Sequence, residues 1–164
     1  MATLSVSSGS YMRPFRNVRV RHFRVDVSQT IRVGDLLVLS TDADEGNRVV
    51  KAGADPATDR ELVGVAAEAI TTTASGSAAD RIPVWLATGD AEFIAHCQDA
   101  AAIDNDDVSN HYGVVNDATN NIWRVDRSET TVVQCRILEL YDAHGDVNGR
   151  LVFHFIAPER LYHD

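Results

Sequence analysis

The sequence predicts an all-β protein, mainly an antiparallel β-barrel or sandwich, with one short helix and an extended N-terminal arm. Three observations carry this. Short apolar runs repeat with the period of two that a pleated strand requires. Clusters of Gly, Asn, Asp and Pro separate those runs at short intervals. Only one stretch carries helix start and stop signals. The densest unit is Ile82–Cys97, IPVWLATGDAEFIAHC. Ile82, Val84 and Leu86 alternate along its first limb and Ala91, Phe93 and Ala95 along its second, with a break at Thr88-Gly89-Asp90. It reads as a central hairpin around which the fold is built.

Residues 1–15 are rich in Ser and small residues and read as an arm; residues 16–164 read as one domain. Ordering about 15 residues costs roughly 15–30 kcal/mol of backbone entropy, so the arm is expected to be loose unless a partner holds it. Arg16–Val27 alternates, with a parity change near Arg21-His22 that suggests a bulge. Ile31–Leu39 follows, bent at Gly34-Asp35, then the turn 42–47, a short strand Val49–Ala52, and Leu62–Thr72. Pro83 suggests that the strand bearing Trp85 lies at an edge, where a missing N–H is tolerated. Asp104 or Asn105 can cap a helix that Gly113 stops. Ile122–Asp126, Thr130–Tyr141 and Arg150–Ile156 are strands, the last entered through Asn148-Gly149, a hairpin signal. No fixed-period repeat is evident.

At 164 residues, folding buries roughly 68–70% of the surface the unfolded chain exposes, enough for a core without metal or disulfide. The net charge of -9 opposes general nucleic-acid binding, but it is unevenly spread. Arg13, Arg16, Arg19, Arg21 and Arg24 lie in the first 25 residues, which hold no Asp or Glu. Cys97 and Cys135 make neither a disulfide framework nor a zinc pattern; they read as buried thiols, with a disulfide within or between chains left open. No apolar run reaches the ~18–20 residues of a membrane span, and MATLSVSSGSYMRPF lacks a signal peptide's apolar core. Synthesis in a cytoplasm is expected, with no membrane partner.

Chemistry-bearing patterns are weak. Asp42, Asp44 and Glu45 crowd a loop, but Gly46 comes one place early for a calcium loop and Gly53 stands where the closing Glu belongs. His144, Asp146 and Asn148 match the end of that pattern without its first acid. Both read as solvated turns. The histidines form no metal-ligand pair, and there is no nucleophile elbow or phosphate loop. No catalytic residue, metal or cofactor is predicted, and the chain is expected not to be an enzyme. Trp85 and Trp123 are either core filling or interface anchors, because Trp and Arg are enriched at binding hot spots. The basic head suits an acidic protein surface, or the acidic body of a second copy, better than DNA. The candidate partner-binding residues are therefore Arg13, Phe15, Arg16, Arg19, Arg21, Arg24, Trp85 and Trp123.

Ile82–Ile156 resembles the head decoration, or capsid cement, proteins of tailed bacteriophages. The residues that carry the resemblance are IPVWLATGDAEFIAHC, HYGVVNDATNNIWRVD and GDVNGRLVFHF. Gly34-Asp35-Leu36 and Leu62–Ala66 fit the looser pattern of β-rich capsid-associated proteins. The resemblance implies a structural virion protein that adds to the outside of an assembled shell, often as a homodimer or homotrimer, and bridges neighbouring major capsid subunits. The resemblance does not extend to the basic arm; its charge suggests that Arg13, Arg16, Arg19 and Arg21 meet carboxylates on such a shell, with the arm adding a strand to a capsid sheet. The alternatives are a β-barrel that binds or hydrolyses a small molecule or glycan, and a head–tail joining or tail component.

Overall fold

In the computed structural model the described residues are 11–40, 48–53, 62–77, 79–98 and 101–156. Among them the strands run β1 (Arg13–Arg16), β2 (Val20–Val25), β3 (Thr30–Ile31), β4 (Leu36–Leu39), β5 (Arg48–Lys51), β6 (Leu62–Ala66), β7 (Ile70–Thr71), β8 (Arg81–Leu86), β9 (Glu92–His96), β10 (His111–Asp117), β11 (Ile122–Asp126), β12 (Cys135–Leu140) and β13 (Arg150–Phe155). The all-β expectation holds. β2-β5-β4-β6-β8 close into a barrel, β1-β9-β13-β12-β10-β11 form an antiparallel six-stranded sheet, and β3 pairs with β7.

The barrel and the sheet share a wall. In β4, LLVL, Leu37 points into the barrel while Leu36 and Val38 join the larger core against the sheet. Both faces are covered, which is why the run is continuously apolar rather than alternating. β8 follows the same logic: Ile82, Val84 and Leu86 fill the barrel, and Trp85 packs outward onto the larger core. In β6 the pairing skips Val63, which leaves Leu62 and Val65 facing the sheet and Val63 facing the barrel. Gly64 sits beside that bulge because nothing larger fits: a Cβ there would lie 2.1 Å from the Trp85 carbonyl oxygen.

The six-stranded sheet curls back on itself. Cys97 bridges Val125 in parallel, and the Gln98 N–H donates to the Val125 carbonyl at 2.9 Å, so β11 returns to the end of β9. Inside the curl, Phe93, Phe153 and Phe155 meet with ring centroids 5.3–6.3 Å apart. Two features join this curl to the barrel. Lys51, the chain's single lysine, reaches Asp35 at 3.0 Å and the Asn121 side-chain oxygen at 3.2 Å. Tyr11 and Met12 lie over the turn at Gly34 (φ +87°), where a Cβ would sit 2.8 Å from Tyr11 Cβ.

Several expectations are corrected. The arm was expected to reach Phe15; residues 1–10 lie outside the described residues, but Met12 is buried and Arg13–Arg16 pairs with β9. Tyr11–Phe15 therefore belong to the domain. The limbs of Ile82–Cys97 do not form a hairpin. β8 pairs with β2 and β6 in the barrel, whereas β9 pairs with β1 and β13 in the sheet. No bulge lies at Arg21-His22, since β2 and β8 pair without a break. The strand has no parity change: Phe23 and Val25 face the barrel core, whereas Val20 lies on the outer face and is exposed. β8 is not an edge strand. Pro83 is tolerated there because its absent N–H faces β6, whose ladder ends at Ala66. The expected helix is one 3-10 turn, Asn105–Asp107, capped reciprocally by Asp104 and Asp107, while Gly113 lies within β10. The strand expected from Thr130 begins at Cys135, because the Glu129 carboxylate takes the Thr131 and Val132 N–H groups into a loop.

Two stability outcomes follow. Gly64→Ala forces strands β6 and β8 apart and should cost about 3 kcal/mol in urea unfolding, with an unchanged slope. Lys51→Met keeps the stem but strands the Asp35 carboxylate, 1% exposed. It should also cost about 3 kcal/mol, and adding Asp35→Asn should recover part of the loss.

Candidate protein-binding face

The predicted residues fall into two groups and one outlier. The first group belongs to β1. Arg16 is neutralised within the fold, reaching Glu139 at 2.7 Å and Glu92 at 3.2 Å, and its guanidinium lies 4.3 Å from the Phe15 ring centre. Phe15 meets Tyr141 edge-on at 5.8 Å, and Arg13 lies 6.0 Å from the Tyr141 ring centre. These side chains fasten the edge strand to the end of β12, so their first role is local.

The second group is on β2 and β8. Along β2, Val20, His22 and Arg24 point away from the barrel interior, as their pairing with Trp85, Pro83 and Arg81 of β8 shows. Arg24 also pairs across with Arg48 of β5. Neighbouring barrel strands turn their outer apolar residues (Leu36, Val38, Val50, Val65) toward the larger core, but the outer face of β2 is left to solvent. Val20 is 56% exposed, and Trp85 beside it is half-buried. Arg21 faces the other way, at the barrel mouth, 5.5 Å from the Phe23 ring centre. Arg19 is exposed in the preceding turn, its carbonyl oxygen accepting the Leu86 N–H.

The outlier is Trp123. It is 1% exposed within the curled sheet and cannot anchor a partner; of its two readings, core filling is correct. The sequence reading missed Val20, His22 and Arg81 as members of the face. Nothing local marks them, because only the β2–β8 register brings them beside Arg24 and Trp85.

Several charges elsewhere are engaged in structure. The Ser40 hydroxyl donates to Asp26 at 2.6 Å and holds its carboxyl below the ordinary range, with burial opposing and the Val27 N–H and Arg48 assisting. Asp142 is likewise lowered, first by hydrogen bonds from Arg150. Asp107 takes Arg127 at 2.6 Å and the Tyr112 hydroxyl at 3.0 Å. Cys97 and Cys135 are buried thiols, and burial pushes the Cys135 thiol well above its usual range. Among the described residues no group of three or more His, Cys, Asp or Glu could hold a metal ion. Asp146 accepts the Ala143 N–H within its own turn, and the residues at 42–47 lie outside the described set. No described helix is long and apolar enough to cross a membrane.

No family model, no curated protein and no solved structure matches the chain.

The lowered carboxyl of Asp26 fixes a pH dependence. Its folded value lies below the ordinary 3.8, so its contribution is present above about pH 4 and is lost as pH falls through the folded value. Urea midpoints should be flat from about pH 8 to 5 and fall below pH 4. Asp26→Asn should lower the plateau and make the acid decline shallower.

Proposed function

We propose that the protein is a structural virion component that binds the outside of a phage capsid and cements neighbouring major capsid subunits. One observation carries this reading: an exposed Val20 and a half-buried Trp85 lie side by side on β2–β8 next to Arg24 and Arg81, on a chain whose net charge is -9. Aromatic and arginine side chains together mark protein-binding hot spots. The resemblance of Ile82–Ile156 to capsid decoration proteins supplies the partner.

The adhesive surface belongs to the folded domain. β1 pairs with β9 as the border strand of the domain's own sheet, so Arg13–Arg16 are held in the fold. Each copy needs only a modest contact, because several copies on one oligomer raise the effective concentration of the rest. Self-association as a dimer or trimer is part of the proposal.

Purified particles provide the test. The protein should be present on the outer lattice in a fixed ratio to the shell subunit. Val20→Asp, at a residue 56% exposed, should strip it while leaving the purified chain folded. A few copies at one vertex would reassign it as a joining component, and absence from particles would overturn the reading. Deleting residues 1–10 leaves every described strand in place and tests that segment alone. Deleting 1–15 would also remove Met12 and β1, and so would test the fold.

A further inference from the structure

The most unusual feature of the open face is electrostatic. Arg81, Arg24 and Arg48 are direct cross-strand partners on β8, β2 and β5. Adjacent strands lie about 4.8 Å apart, so the row spans roughly 10 Å. Like charges placed directly opposite one another destabilise a sheet. Arg48 has Asp26 at 3.5 Å. Among the described residues Arg24 and Arg81 have no carboxylate partner, and Arg24 Nε is buried without an acceptor. The row therefore costs the folded chain something, and among the described residues no ion pair of Arg24 or Arg81 offsets it.

We infer that the Arg24–Arg81 row, with His22, Trp85 and Val20 beside it, is a docking site for an acidic protein segment, one that presents clustered carboxylates next to an apolar side chain. This deepens the reading proposed above and rests on it for the identity of the partner, though not for the chemistry. Guanidinium groups favour carboxylates because their fork of donors matches two acceptor oxygens. Trp85 and Val20 then give the apolar side chain a place to pack. Nucleic acid fits less well. The basic row is only about 10 Å long, shorter than the run of phosphates that sustains duplex binding, and the chain's net charge of -9 repels a polyanion at longer range.

The same row supplies a test that separates binding from folding. The probe is a short synthetic peptide with glutamates around a leucine and a phenylalanine. Its control has glutamine for every glutamate. Trp85 is half-buried and Trp123 enclosed, so a change in indole fluorescence on titration reports the β2–β8 face. The glutamate peptide should bind, the glutamine control should not, and added salt should weaken the complex. Arg24→Thr and Arg81→Thr should each weaken binding about tenfold while the melting temperature stays level or rises, because a like-charge neighbour has gone. A marked fall in melting temperature for Arg24→Thr would make the row structural and overturn the inference. So would unaltered peptide binding in both variants, or tighter binding of duplex DNA than of the peptide. If particles carry the protein but the peptide does not bind this face, the inference fails and the capsid reading stands. If the peptide binds here and particles lack the protein, the capsid reading fails and the site stands.

Discussion

Everything in this molecule depends on a wall buried from both sides. β4, β6 and β8 each send one set of side chains into the barrel and another into the core beneath the curled sheet. A fully buried Leu or Val contributes roughly 1.5–3 kcal/mol. Leu36, Val38 and Val65 together therefore rival the roughly 5–15 kcal/mol net stability of a whole domain. Barrel and sheet cannot separate without exposing them. Lys51 adds direction to this apolar contact, because its link between Asp35 and Asn121 has one geometry, whereas packing alone would tolerate several.

That wall also decides what the sequence could reveal. The class was legible because alternation in Ile82–Leu86 and Ala91–Ala95 reports the local pleat, which any sheet shares. The pairing was not legible. Leu86 and Glu92 are separated by a turn short enough for a hairpin, yet β8 and β9 part company because each finds a better apolar neighbour far along the chain. The supposed bulge at Arg21 has a related cause: Val20 is an apolar residue on an uncovered outer face, and in the pattern of residues it reads as a core position. The helix failed for a different reason. Asp104 and Asp107 do form a capping box, but Gly113 belongs to a strand pair, so the start signal was sound and the stop signal was misread.

The candidate site was half legible. Arginine clustering near the N-terminus was visible, but which arginines matter depended on partners invisible in one dimension. Arg16 has two carboxylates from β9 and β12, whereas Arg24 has arginines as neighbours on both sides. Trp85 and Trp123 looked equivalent as letters. One lies on a strand whose neighbour β2 is left uncovered, and the other lies inside the curl. The asymmetry of the barrel is thus what creates a surface: four strands have something to lean on, and the fifth does not.

The border strand of the sheet has a further consequence. β1 is four residues long, contains Pro14, shifts its register between Pro14 and Arg16, and carries an arginine at each end. Each trait discourages a passing backbone from docking alongside. An open, regular strand edge would otherwise let copies knit into fibres. Here the rim is blunted, and any stacking of copies has to proceed through side chains, where geometry limits how many can join.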